Sequence, residues 1–357
     1  MPALHVGPKV SLLVPGALGA VVSAQTRYDV TEIKAPVQGS VQLSGMNDLG
    51  QVVGAVDQLP QGNFLPFLYS GGTATMLGLP TGYASATPYD INNHEAIVGQ
   101  ASGIFNGLTD QRGFIYRDGQ FHLLSVSGVV SAINDAGHIA GVDFTHGEVM
   151  FYDGSIHDLG FRGAANAINS NDQIAGNLLV AGATYPNACF YDGTVHDLGV
   201  LPGDDSSQAY GLNDAGTVVG MSNSFKVGNV PRAHAFATQN GVMKPLGSLG
   251  GPDSEALAIN DSGVIVGDAQ VAGGNSLPHA FVFDGVMHDL NDLLTTPTDA
   301  PLTIASAINN EGQIVALAYS TPDFARGYLL TPVVPEPVAV CFVAGWVALL
   351  SRRRIRD

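Results

Sequence analysis

Ala258-Ile259-Asn260-Asp261-Ser262-Gly263-Val264-Ile265-Val266-Gly267, followed after a variable loop by His279-Ala280-Phe281-Val282-Phe283-Asp284-Gly285-Val286-Met287-His288-Asp289-Leu290, is the stretch that decides the fold. Its period is that of four short strands. The first ends at Asn260, and Asn-Asp-x-Gly makes a tight hairpin in which Gly263 supplies a positive φ. Val264 to Gly267 runs back as the second strand. Phe281-Val282-Phe283 forms the third, Asp284-Gly285 turns the chain, and Val286 to Leu290 is the fourth.

The same unit recurs along the chain. Its asparagine stands at 47, 92, 134, 169, 213, 260 and 309, with steps of 45, 42, 35, 44, 47 and 49 residues. Five copies keep Asn-x-x-Gly, whereas Asn92 leads Asn-Asn-His-Glu and Asn169 leads Asn-Ser-Asn-Asp. Such a period belongs to propeller blades of four strands each, and seven copies predict a seven-bladed β-propeller. The third strand recurs at Phe67, Phe114, Met150, Cys189, Phe236 and Tyr328, so Cys189 reads as a buried small hydrophobe in an aromatic slot. Its partner recurs as His157-Asp158-Leu159-Gly160 and His196-Asp197-Leu198-Gly199. The last copy, ending Gly327-Tyr328-Leu329-Leu330-Thr331-Pro332, lacks a fourth strand. Tyr28 to Ile33 looks like a fourth strand without the first three, so joining the two predicts a closed ring with no exposed sheet edge.

The His-Ala-Phe triplets at 234–236 and 279–281, with Ala-x-x-Ile-Asn-Asp-x-Gly and Asp-Leu-Gly, resemble the HAF-repeat family of bacterial extracellular proteins over about residues 27–332. The ends read as addresses. Lys9, the apolar run Val10 to Val22 and the small residues before Gln25 predict a signal peptide over 1–24 that a signal peptidase removes. Residues 25–332 are then the propeller and 333–357 a tail. In that tail Pro335-Glu336-Pro337, an apolar run over 338–350 and Arg352-Arg353-Arg354 resemble the PEP-CTERM sorting signal. The resemblance implies cutting at the triplet by an exosortase-like protease. The arginines imply a cytoplasmic end by the positive-inside rule, with the rest of the chain outside. The expectation is an exported chain at the cell surface or beyond, with a C-terminal membrane segment before any processing.

Composition narrows the function classes. Between Gln25 and Val334 there are 9 basic and 29 acidic residues, a balance of −20 that repels nucleic acid and anionic headgroups. Two cysteines, at 189 and 341, offer neither a disulfide framework nor a metal cluster. The Asn-Asp-x-Gly sites lack the alternating oxygen donors of a calcium loop, so no cofactor is expected and calcium has no specific motif. His157, His196 and His288 occupy one repeat position, which predicts structural roles, as it does for His234 and His279.

Loops joining one unit to the next carry Asp204 and Asp205 in one place and Asp253 and Glu255 in another. Variable loops on a repeated scaffold are where binding concentrates, and these four acids are the candidate ligand-face residues. No nucleophile elbow, zinc-protease helix, phosphate loop or dinucleotide fingerprint occurs. The expectation is therefore a non-catalytic scaffold or binding protein of the envelope or extracellular matrix, not an enzyme, associated with exopolysaccharide by the resemblance alone. Two alternatives stand beside it. One is an extracellular glycan-cleaving enzyme using carboxylates on the long-loop face, and the other is a calcium-stabilised adhesin.

Overall fold

The computed structural model describes residues 25–58, 62–105, 107–225, 232–273, 277–321 and 324–333. The signal peptide over 1–24 and the sorting residues Pro335, Glu336, Pro337, Arg352, Arg353 and Arg354 lie outside them. The described chain is all-β, apart from one short 3-10 turn at Leu290–Leu293.

Short apolar runs broken at each Asn-x-x-Gly and Asp-Gly turn produce antiparallel meanders. After β1 (Arg27–Ile33), one sheet holds β2 (Ser40–Met46), β3 (Val52–Gln58), β4 (Asn63–Ser70) and β5 (Thr73–Met76) in chain order. The next ten strands are β6 (Ser85–Ile91), β7 (Ile97–Phe105), β8 (Leu108–Arg117), β9 (Gln120–Ile133), β10 (Ile139–Asp143), β11 (Glu148–Tyr152), β12 (Ile156–Ile168), β13 (Ile174–Leu178), β14 (Asn187–Tyr191) and β15 (Val195–Gly199). They form one ten-stranded sheet because β9 and β12 are long. The first part of β9 pairs with β8 and its last part with β10, and β12 divides itself likewise between β11 and β13.

Two further four-stranded sheets follow. β16 (Ser206–Leu212), β17 (Val218–Ser224), β18 (Arg232–Gln239) and β19 (Val242–Pro245) make one. β20 (Gly250–Ile259), β21 (Ile265–Val271), β22 (His279–Phe283) and β23 (Met287–Asp289) make the other. The last sheet is β24 (Ile304–Ile308), β25 (Ile314–Thr321) and β26 (Phe324–Val333), completed by β1 from the other end of the described chain. The pairing runs from Arg27 opposite Val333 to Ile33 opposite Gly327. Arg27 also donates to the Leu294 carbonyl at 2.6 Å, which ties this strand to the neighbouring sheet.

The core lies between the sheets. The third-strand residues Phe67, Phe114, Met150, Cys189, Phe236, Phe281 and Tyr328 are all buried. Opposite each of the first six stands a second-strand glycine, as in the pairs Gly99 with Phe114 and Gly267 with Phe281. The glycine is required by contact: a Cβ on Gly267 would fall 1.9 Å from the Glu255 carbonyl oxygen of the adjoining strand. Burial pushes the Cys189 thiol up to about 12, as befits a packing residue.

The repeated asparagine does two jobs. Within its own turn its Oδ1 accepts the backbone N–H four residues on, at 2.8–3.0 Å in every copy. Its Nδ2 reaches across to the next copy and donates to that asparagine's backbone carbonyl. The series runs 47 to 92, 134, 169, 213, 260 and 309, and Asn309 donates back to Asn47. All seven side chains are buried. The two degenerate turns keep the geometry without glycine, Glu95 and Asp172 taking φ of 62° and 59°.

The expectation of an exported chain with a C-terminal membrane segment is corrected here. Among the described residues no helix is long and apolar enough to cross a membrane. The expected segment over 338–350 itself lies outside the described residues, in which the turn spacing cuts the apolar residues into short strands.

Asn260→Ala removes the acceptor of the Val264 N–H and the donor to the Asn309 carbonyl. The Asn309 carbonyl keeps the Gly312 N–H, so at about 1–3 kcal/mol for the Val264 N–H left without a partner and about 1 kcal/mol for the other lost hydrogen bond, we expect a loss of roughly 2–4 kcal/mol by equilibrium urea unfolding. A loss below about 1 kcal/mol would show that the asparagine ring contributes little.

Candidate functional site

Seven innermost strands share one irregularity. Each carries a β-bulge three residues before its asparagine, and the register shifts fall between Leu43 and Gly45, Pro88 and Asp90, Ala165 and Ala167, Ala209 and Gly211, Ala256 and Ala258, and Ala305 and Ala307. In β9 the extra residue is Ser131, skipped between Val130 and Ala132. A bulge frees one residue from the ladder and re-aims its side chain. The seven freed residues are Ser44, Tyr89, Ser131, Asn166, Tyr210, Leu257 and Ser306, and all seven line a single cavity of about 600 Å³.

This axial channel has a mixed polar and apolar wall and holds no basic side chain. Two phenols, three serine hydroxyls and one amide alternate with the small and aliphatic residues that follow each bulge. Asn166 is held by its donation to the Ala209 carbonyl at 2.6 Å, and the Tyr210 hydroxyl donates to Gln208 Oε1 at 3.0 Å. The Ser306 hydroxyl has no partner among the described residues, so a donor and acceptor is left free in the wall.

Asp90 is the one carboxylate among the described residues of the channel wall. It occupies a position that is glycine or alanine in the other six units, and Gly45 beside it makes the room: a Cβ there would lie 2.7 Å from the Asp90 backbone. Its Oδ1 accepts from Ile91 N–H at 2.8 Å and its Oδ2 from Ile133 N–H at 3.0 Å. Enclosure by protein pushes its pKa up to about 7, against the opposing pull of those two N–H groups. Burial also raises Tyr89. Asp90 further lines the outer mouth of the channel, where Asp48, Asp135, Asp214 and Asp261 sit above the asparagine ring.

A second acidic group lies two residues before Leu257. Glu255 on β20 faces Asp268 on β21 directly across the ladder. Burial raises both, Asp268 to about 7 with Glu255 adding to it, while Asp253 adds to the rise at Glu255. Tyr210 is raised by burial and then by these two carboxylates, so the pair borders the channel through that phenol.

The four loop acids read from the sequence do not gather into one site. Asp204 pairs with His234 Nδ1 at 3.0 Å, Asp205 accepts the Phe225 N–H at 2.7 Å, and Asp253 accepts the Ala233 N–H at 3.1 Å and an Arg232 bond at 3.3 Å. Those three fasten loops. Glu255 instead stands opposite Asp268 and close to Tyr210. His157, His196 and His288 each meet the aspartate four residues earlier, Asp153, Asp192 and Asp284, within single hairpins. The channel residues went unnoticed in the sequence although a signal was there: the position three before each asparagine reads Ser, Tyr, Ser, Asn, Tyr, Leu, Ser, while its neighbours, Asp90 excepted, stay small or apolar.

Residues 204–323 match a family described as "Protein of unknown function (DUF3466)". No curated protein matches the sequence. Among solved structures, the chain is similar to the β-propeller domain of the Trilobed protease from Pyrococcus furiosus, with TM-score 0.53, 8% identity, and coverage of 87% of this chain and 99% of that one. It is also similar to the Dos1 propeller, with TM-score 0.51, 9% identity and coverage of 85% and 95%. A gluconolactonase from Xanthomonas campestris matches at TM-score 0.41 and 14% identity, over 83% of this chain and 87% of that one.

The fold is thus of the β-propeller kind. The expectation of a non-catalytic envelope scaffold is corrected to the fold alone: a similar propeller is a domain of a protease, so this fold does not set an enzyme aside. The physical reason is that residues meeting at the axis come from different repeats. A search for contiguous sequence motifs therefore passes over them.

With a folded-state pKa near 7, against about 4 in an unfolded chain, Asp90 contributes stability that is complete below pH 4 and is lost as pH rises through 7. Asp90→Ala restores the small residue of the other units. From pH 5 to 8 the wild-type Tm is expected to fall relative to that of the variant. Parallel Tm profiles would show that Asp90 is ionised in the fold throughout this range.

Proposed function

We propose that the chain is a seven-bladed propeller of HAF-like repeats whose axial channel takes up a small, hydroxyl-rich substrate such as a sugar, and that Asp90 does acid–base work on it. The blade count is supported by the seven-membered asparagine ring and by the long β9 and β12, each of which serves two four-stranded units. Closure by the N-terminal strand is supported by the β1–β26 ladder.

The observation that carries the substrate class is the ring of seven bulge residues. Hydroxyls, an amide and two phenol rings offer donors, acceptors and stacking faces, and about 600 Å³ is within the range of small-molecule sites. No basic side chain lines the wall, which disfavours phosphates and carboxylates. The glycan-directed reading of the sequence thereby moves from the long loops to the axis. A carboxyl group with a pKa near 7 holds or gives up its proton at working pH, as a general acid or base requires.

The test is calorimetric titration of the full chain with neutral, amino and acidic mono- and disaccharides, alongside hydrolysis assays on chromogenic glycosides and sugar esters. Tyr210→Ser places in one unit the residue that three others carry, so folding is retained. We expect neutral or amino sugars to bind, at least tenfold weaker in that variant, a change of about 1.4 kcal/mol. We expect turnover to follow a group titrating near 7 and to vanish in Asp90→Ala. Absence of sugar binding, or binding indifferent to Tyr210→Ser, removes the proposal; binding without turnover removes its catalytic half.

A further inference from the structure

Outside the channel lining, the turn between β10 and β11 brings together a different set of donor atoms. Asp143 at the end of β10, His146 in the turn and Asp158 on β12 each place one oxygen or nitrogen within 4.8 Å of the others. The Asp143 carboxylate is only 4% exposed and is aimed by its turn: Oδ1 accepts the Thr145 N–H at 2.7 Å, and Oδ2 lies 2.8 Å from His146 Nδ1. The imidazole itself is open to solvent, 60% exposed.

Comparison of the repeats shows what is unusual here. In two other units the aspartate of His-Asp-Leu is held by the residue that opens the third strand. Asp197 accepts from Asn187 Nδ2 at 2.9 and 3.1 Å, and Asp289 meets His279 Nδ1 at 2.6 Å. In the unit containing Asp158 that opening residue is Glu148, which has no proton to give. No hydrogen bond reaches the Asp158 carboxylate among the described residues. Glu148 stands opposite Arg162 in the ladder.

We propose that Asp143, His146 and Asp158 bind a divalent transition-metal ion, with Zn²⁺ the best fit. One imidazole nitrogen and two carboxylate oxygens suit Zn²⁺ at bonds of roughly 2.0–2.2 Å. The 2.8 Å gap between Asp143 and His146 allows one cation to replace the proton they share, while the neutral ring keeps a proton on Nε2. Imidazole disfavours Ca²⁺ and Mg²⁺, which take oxygen ligands. Three protein ligands leave a fourth position for water. The ion would join the β10–β11 turn to β12.

The experiment is calorimetric titration of chelator-treated full chain with ZnCl₂, and separately with CaCl₂, at pH 7.5. We expect one Zn²⁺ site and no Ca²⁺ site, with Zn²⁺ affinity falling at least tenfold in His146→Ala and in Asp158→Asn. His157→Ala, which alters an exposed histidine adjacent to Asp158 but paired with Asp153, should leave it unchanged. Matching circular dichroism spectra establish that the variants are folded. Absence of Zn²⁺ binding in the wild type, retention in His146→Ala, or loss in His157→Ala overturns the proposal.

Discussion

A side-chain amide that bonds beyond its own turn is the constraint on which this molecule depends. Each repeated asparagine closes its local hairpin through Oδ1 and couples to the next repeat through Nδ2. The first function needs only a short side chain with an acceptor, which aspartate or serine also has. The second needs a donor at the same time. A serine hydroxyl carries donor and acceptor on one atom, whereas asparagine places them without a charge on two, Oδ1 and Nδ2, that reach in different directions. That explains why the residue persists even in the units whose Asn-x-x-Gly is degenerate, where Glu95 and Asp172 accept an uncommon left-handed backbone so that the turn retains its shape.

The ring also sets the position of the functional surface. Because every asparagine is anchored at the same depth, the bulge three residues earlier comes to the same height in each unit, and its side chain is released toward the common axis. The repeat thus separates two tasks. Glycine opposite an aromatic or other core residue maintains the packing between sheets, whereas the bulge residue is free to vary because no ladder bond or core contact constrains it. Chemistry collects at that free position and at the site next to it, where Asp90 replaces a glycine or alanine and is accommodated by Gly45 from the adjacent unit. The metal-ligand cluster follows similar logic at the periphery: Glu148 takes the slot of a structural donor, and Asp158 becomes available.

Much of the fold was legible in the sequence because it follows from local rules. The spacing of the asparagines, the positive-φ glycines and the alternation around Phe281 all arise within single repeats of 35 to 49 residues, and turn chemistry is local. The terminal pairing of Tyr28–Ile33 with Gly327–Pro332 was also legible, since incomplete repeats at the two ends complement each other. The site was far less so. Asp204, Asp205 and Asp253 looked like free loop acids in the sequence, but each fastens a neighbouring strand or loop. Whether an aspartate is free or engaged depends on partners 20 to 30 residues away.

What the sequence determined by itself is the repeat: four strands per unit, the turn that ends the first, and the core residue of the third, all dictated by backbone preferences and apolar period. What only the tertiary structure decided is which side chains meet. Ser44, Tyr89, Ser131, Asn166, Tyr210, Leu257 and Ser306 are separated by whole repeats in the chain and share one wall in space. A bulge is a register shift between two paired strands. Its direction exists only once both strands and the neighbouring repeats are in place, and the chemistry at the axis is therefore a property of the assembled ring.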